Sequence, residues 1–143
     1  MSIDGWSWVT ERKLVSRSAS RHRAIRDVVR QLQQHGWSAE DIFGVRLALE
    51  EALVNAIMHG NRSDTTKRVY FSCKLAPDRV RLEIRDEGAG FNPKSVPDCT
   101  DDAHLVLPNG RGLMLMRAYM SRVEYNDVGN CVVMEKLCPR ASA

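Results

Sequence analysis

The sequence has no apolar run approaching the roughly 20 residues that a membrane span needs. Residues 1–6 carry neither the basic start nor the apolar core of a secretion signal. A cytoplasmic protein with no membrane contact is the expectation. None of the four cysteines, Cys73, Cys99, Cys131 and Cys138, forms a C-x-x-C pair, and the histidines do not fall beside them at metal-ligand spacing. This excludes a thiolate metal cage and a disulfide framework. Repeats, low-complexity tracts and internal linkers are absent. Strong charge bias is absent too, since the net charge is only +3. The early cations Arg12, Lys13, Arg17, Arg21, Arg23, Arg26 and Arg30 lack the aromatic interleaving of a nucleic-acid surface, so they read as a solvated face.

What remains is 143 residues, 43% of them hydrophobic, enough for a single domain with one core. A first strand is expected over 6–15, with Trp6, Trp8 and Thr10 on one side. Ser18 or Ser20 can cap a helix over 21–35, where Ile25, Val28, Val29 and Leu32 form an amphipathic face ended by Gly36. Ser38 can cap a second helix over 39–59, ended by Gly60-Asn61, with Ile42, Val45, Leu49, Ala52, Leu53 and Ala56 as its buried stripe. Strands over 68–75 and 79–85 form a hairpin. In the second of them Val80, Leu82 and Ile84 alternate with charged residues, so one sheet face is wet. The pattern then breaks from Gly88 to Gly110, a loop long enough to be functional. A helix over 111–120 and strands over 122–126 and 131–137 complete the chain, and the tail from Pro139 reads as frayed. The order implies an α+β two-layer sandwich, a mainly antiparallel sheet with its helices on one face.

Three short pieces carry chemistry. Glu51, Asn55 and His59 recur every four residues and stack along one helical stripe. An amide oxygen is a hard ligand suited to Mg²⁺, and a nearby carboxylate can take a proton from water or a hydroxyl. His59 reads as a helix-end residue interacting with the dipole. Asp86 continues the buried phase of Val80, Leu82 and Ile84, and a buried carboxylate needs a donor, such as an adenine amino group. Gly88 and Gly90 let a flat base approach the backbone. Gly110 and Gly112 are expected to open a helix whose unpaired N–H groups can meet phosphate.

In this order the pieces resemble the GHKL ATPase superfamily. Glu51-x-x-x-Asn55 looks like its N box, Asp86-x-Gly88-x-Gly90 its first glycine box and Gly110-x-Gly112 its second, with 89–110 as the ATP lid. The run from Glu50 to Asn61 looks most like the anti-sigma-factor serine/threonine kinases. The resemblance implies a single Bergerat-type domain over 1–143, with a mixed, mainly antiparallel sheet and frayed ends at 1–5 and 139–143. It implies that Asn55 coordinates Mg²⁺ across the phosphates and that Glu51 is the general base. Asp86 would bind adenine, Gly88 and Gly90 would shape the base pocket, and Gly110 and Gly112 would hold the phosphates. ATP and Mg²⁺ are the implied cofactors. The implied partners are a sigma factor, held inactive, and a small antagonist protein, phosphorylated on serine or threonine. A homodimer is also implied, and exposed Trp6 and Trp8 together with the first helix are candidates for its surface.

The chain departs from that pattern at two places. Pro108-Asn109 stands where many of these kinases carry a basic residue, which leaves Arg111 as the nearest cation. Gly129-Asn130 stands where Gly-Thr is frequent. The alternative function is a non-catalytic ATP-binding module that sequesters a partner. A sensor histidine kinase is disfavoured, because the chain has no room for a separate dimerisation hairpin.

Overall fold

The computed structural model describes residues 5–89 and 108–138, apart from the side chains of 108–111. Among the described residues five strands form one sheet: β1 (Trp8–Val15), β2 (Arg68–Ala76), β3 (Arg79–Arg85), β4 (Arg122–Tyr125) and β5 (Cys131–Leu137). Their spatial order is β1-β2-β3-β5-β4, and every pairing is antiparallel. The expected mixed sheet is thus wholly antiparallel among the described strands. Three helices, α1 (Ser20–Gln34), α2 (Ala39–Val54) and α3 (Pro108–Tyr119), cover it. Val28 and Leu32 of α1, Leu49 and Leu53 of α2 and Met116 of α3 share one core with Phe71, Leu82, Ile84 and Met134 of the strands. The other sheet face is charged, as the alternation in β3 requires. There Arg81 pairs with Glu83 and Glu135, and Arg122 with Glu124 and Glu135. No helix among the described residues is long and apolar enough to cross a membrane.

The start of α1 differs from expectation. Neither Ser18 nor Ser20 caps it: Ala19 precedes the helix in a helical conformation, without a side-chain cap. The chain enters through a turn in which the Ser20 N–H donates to the Arg17 carbonyl at 2.9 Å. Ser18 Oγ instead accepts from Arg21 Nη1. By contrast, Ser38 caps α2 as expected, its hydroxyl accepting from the Asp41 N–H at 3.1 Å. Trp6 and Trp8 are half-buried rather than exposed. Trp8 packs on the core, and the Arg79 guanidinium sits 4.2 Å above the Trp6 ring. Cys73 and Cys131 are buried in strands, and burial pushes the Cys73 thiol up to about 12, leaving it inert.

The helix expected over 39–59 is not uniformly α. From Asn55 to Gly60 it winds as a π-helix, a wider turn with i→i+5 bonds such as Asn61 N–H to the Ala56 carbonyl at 2.9 Å. The anchor for this turn is Asn61, 1% exposed. Its Nδ2 donates to Ser16 Oγ at 2.7 Å and to the Arg68 carbonyl at 2.9 Å, while its Oδ1 accepts from the Glu87 N–H at 2.7 Å. One amide therefore ties the helix end to the residue after β1, to β2 and to the turn after β3.

Candidate functional site

The site lies where the π-wound end of α2 meets the end of β3. Asp86 leaves β3 in the buried phase of Val80, Leu82 and Ile84, as its position in the alternation implies, and is 9% exposed. Its N–H donates to the Asn130 carbonyl at 2.9 Å, and its Oδ1 accepts from the Gly88 N–H at 2.7 Å. Burial raises the carboxyl above its ordinary value, while the Gly88 N–H and the Lys67 cation oppose that rise. Gly60 packs against this carboxylate, and Gly88 packs against the Gly60 carbonyl. A Cβ on either glycine would overlap what it touches. Gly88 is thus required by close approach of two backbones. So is Gly60, which sequence reasoning treated only as a helix end.

Asn55, His59, Gly60, Asp86, Tyr125 and Asn130 line one depression that encloses about 50 Å³ of open space, floored by Ala52, Ala56, Ile84 and Val132. An apolar floor with an aimed carboxylate at one end suits a flat heterocycle bearing an amino group. His59, given no role from sequence, is exposed at the rim. Glu51 and Asn55 converge on Gly112 of α3. A Cβ there would lie 3.0 Å from Asn55 Nδ2 and 3.2 Å from Glu51 Oε2.

This alters the reading of the second glycine pair. The helix starts at Pro108, not after the glycines, so the segment expected as a lid ends within its first turn. Proline fits there because the first helical N–H has no intrahelical partner. Gly110 remains among the unpaired N–H groups of the first turn, whereas Gly112 lies beyond them. Gly112 is buried, and its small size admits the two α2 side chains. Of the expected lid 89–110, only Ala89 and the backbone of Pro108, Asn109 and Gly110 are described. Gly90 and the side chain of Arg111 fall outside the described residues.

The donor set fits Mg²⁺. Among the described residues no group of three or more His, Cys, Asp and Glu could cage a metal. A single amide oxygen beside Glu51 suits an ion that keeps its waters and is held mainly by phosphates.

Two residues that sequence reasoning passed over complete the geometry. Asn126 anchors the β4–β5 turn: its Oδ1 accepts from the N–H groups of Gly129 at 2.8 Å, Asn130 at 3.0 Å and Cys131 at 3.2 Å. That turn places Asn130 against the Asp86 backbone, so Asn130 supports the site rather than supplying a hydroxyl. Tyr125, the last residue of β4, faces the same depression as Asn55. The half-buried positions of β4 are Val123 and Tyr125, an alternation that marks Tyr125 as inward-facing.

The profile of the histidine kinase-like ATPase domain matches residues 15–136. Among similar proteins, a serine-protein kinase RsbW from Bacillus licheniformis is 31% identical over 115 residues, covering 73% of this chain and 70% of the relative. An anti-sigma F factor from Oceanobacillus iheyensis is 27% identical over 104 residues, covering 68% of this chain and 70% of the relative. The RsbW of Listeria monocytogenes serovar 1/2a is 27% identical over 108 residues, covering 71% and 69%. A match that runs from the end of β1 to the end of β5 takes in every element that builds the site, and the chain belongs to the histidine kinase-like ATPase domain family.

Proposed function

We propose that the chain is an ATP- and Mg²⁺-dependent protein serine/threonine kinase that also binds and restrains a sigma factor. The carrying observation is the convergence of Glu51 and Asn55 on Gly112, in a helix whose Asn55 also lines the Asp86 depression. In this reading Asp86 accepts from the adenine amino group, and Gly88 and Gly90 bring the backbone to the base. Gly110 offers an unpaired N–H to phosphate, with Arg111 as the adjacent cation, and Gly112 leaves room for Glu51 and Asn55. Asn55 holds Mg²⁺, which neutralises phosphate charge when bound. Glu51 takes the proton of the attacking hydroxyl. The hydroxyl oxygen bonds to the γ-phosphorus as the bond to the β-phosphate bridging oxygen breaks, and ADP leaves. The name of the anti-sigma F relative supports a sigma factor as one partner, and that of the serine-protein kinase RsbW supports a protein phosphorylated on serine as the other, which we take to be a small antagonist. We also propose that the chain acts as a single domain, as a homodimer in the cytoplasm.

A second reading, a non-catalytic ATP-binding module that sequesters its partner, is favoured by one feature. Pro108 and Asn109 bring no cation to the start of α3. A pull-down with and without Mg·ATP, followed by phosphosite mapping of what binds, separates the two. A retained protein phosphorylated on serine or threonine supports the kinase. Retention that depends on ATP without phosphorylation supports the module.

A further inference from the structure

A strand at the edge of a sheet presents unpaired N–H and C=O groups to whatever can add to it. Among the described residues β4 lines one edge with four residues, whereas β1 lines the other with eight and has no strand on its outer side. β1 lacks the devices that blunt an edge. Trp8–Val15 contains neither proline nor glycine, and its register with β2 is unbroken from Trp8↔Leu75 to Val15↔Arg68. The ladder decides which backbone groups face outwards. The Ser16 N–H donates to the Lys67 carbonyl at 3.3 Å, so the even-numbered residues bond to β2, while Val9, Glu11 and Lys13 turn their N–H and C=O groups to the open edge. Trp8 and Leu14 pack on the core, so Val9, Glu11 and Lys13 also carry their side chains on the face away from the helices, where all three are exposed.

We propose that β1 pairs antiparallel with β1 of a second copy of this chain, about a twofold axis at Arg12, so that one sheet runs across the dimer. This rests on the homodimer reading above and names its interface. Alternation and charge select the register. An axis between two residues would set an outward-turned backbone group against an inward-turned one, so the axis passes through a residue. The axes that keep the greatest overlap of Trp8–Val15 lie at Glu11 and at Arg12. An axis at Glu11 sets that carboxylate against its own copy. An axis at Arg12 sets Glu11 against Lys13 and Val9 against Val15, each twice, and cross-strand pairs of both kinds are favourable. Glu11 has no ion pair among the described residues, and Lys13 Nζ lies on the same face, 6.0 Å from the centre of the Tyr70 ring. The cation at the axis brings its own counter-ion. Arg12 faces the helices, where Nη1 donates to Asp27 Oδ2 at 2.7 Å and Nε to Thr10 Oγ1 at 3.1 Å.

The test is sedimentation equilibrium of the whole chain, with charge reversal at the two exposed positions. Glu11→Lys and Lys13→Glu each set like charges opposite one another on both sides of the axis. Each variant alone should dimerise about 10-fold more weakly than the unsubstituted chain. An equimolar mixture of the two should regain the dimer, because all the lysines then face glutamates, and this recovery also shows that both variants fold. Variants that dimerise as the unsubstituted chain does overturn the proposal and leave the homodimer reading standing. A mixture no better associated than its components overturns it equally. An unsubstituted chain that stays monomeric overturns both, and leaves the β1 edge to a strand of another protein.

Discussion

The carboxylate of Asp86 rests against the Cα of Gly60, so closely that a methyl group on Gly60 would overlap it. Two chain segments separated by a hairpin thus meet at one contact: the last residue of the π-wound turn and the first residue after β3. The Asn61 amide fastens the helix side of this contact, and the Asn130 carbonyl fastens the strand side. The direction in which Asp86 points follows from those two fastenings.

Gly60→Ala should therefore damage both fold and site. Overpacking of this kind costs about 1–3 kcal/mol, and here it displaces the acceptor assigned to adenine. Urea unfolding should show that loss, and ATP affinity should fall at least about 10-fold. An alanine variant with unchanged unfolding and unchanged ATP affinity contradicts the contact.

Asp86→Asn should separate binding from stability. One Asp86 oxygen is taken by the Gly88 N–H, and the asparagine oxygen can keep that bond. The other position becomes NH₂, a donor facing the amino donor of the adenine in the proposed site. ATP affinity should fall about 10- to 100-fold, the loss of a hydrogen bond to a charged group. Stability moves the other way. Burial raises the folded carboxyl above 3.8, so its contribution is fully present below pH 3.8 and lost as pH rises through the folded value. Asparagine escapes that loss. Without nucleotide the variant should equal or exceed the parent in urea at pH 7, with the difference shrinking towards pH 3.8. A variant less stable at neutral pH without nucleotide would show that the carboxylate is better paired than this structure has it.

Gly112→Ala pits two effects against each other. Glycine inside a helix costs about 0.5–1 kcal/mol relative to alanine, which favours the variant. The new methyl would crowd Asn55 Nδ2 at 3.0 Å and Glu51 Oε2 at 3.2 Å, so those side chains must give way. The melting temperature should hold or rise while phosphoryl transfer falls about 10-fold or more. Unchanged transfer would show that Glu51 and Asn55 need no fixed placement.

Asn61→Ala should be among the most destabilising polar substitutions in the chain. It strips partners from the Glu87 N–H, the Arg68 carbonyl and the Ser16 hydroxyl together. Unsatisfied buried groups of this kind predict a loss of about 3 kcal/mol in denaturant unfolding. A loss under about 1 kcal/mol would mean that water replaces the amide without cost.

Much of the fold was legible because it rests on periodicity. The alternation in β3 predicted both the buried phase of Asp86 and the charged sheet face. The α2 stripe held from Val45 to Ala56, with Ile42 packed at its margin. The Ser38 cap was readable because a side chain makes it, whereas α1 begins through a backbone turn that leaves no mark in its serines. The π-wound turn was hidden, because its cause is a set of long-range bonds from Asn61 and not a local propensity. Gly60 was misread for the same reason, since its lack of a side chain serves a contact with Asp86. Gly112 was placed at a helix opening because the helix was expected only from Arg111, yet Pro108 is the first residue of α3. Tyr125 lay in a short strand whose alternation was overlooked beside its charged neighbours.

The most direct test of the account is transfer of labelled γ-phosphate from Mg·ATP to a candidate antagonist protein, comparing the chain with Glu51→Ala and a surface control. The account predicts label on a serine or threonine of the antagonist, lost with Glu51→Ala and kept in the control, while Glu51→Ala still binds ATP. Tight ATP binding with no label transferred by the unsubstituted chain would contradict it.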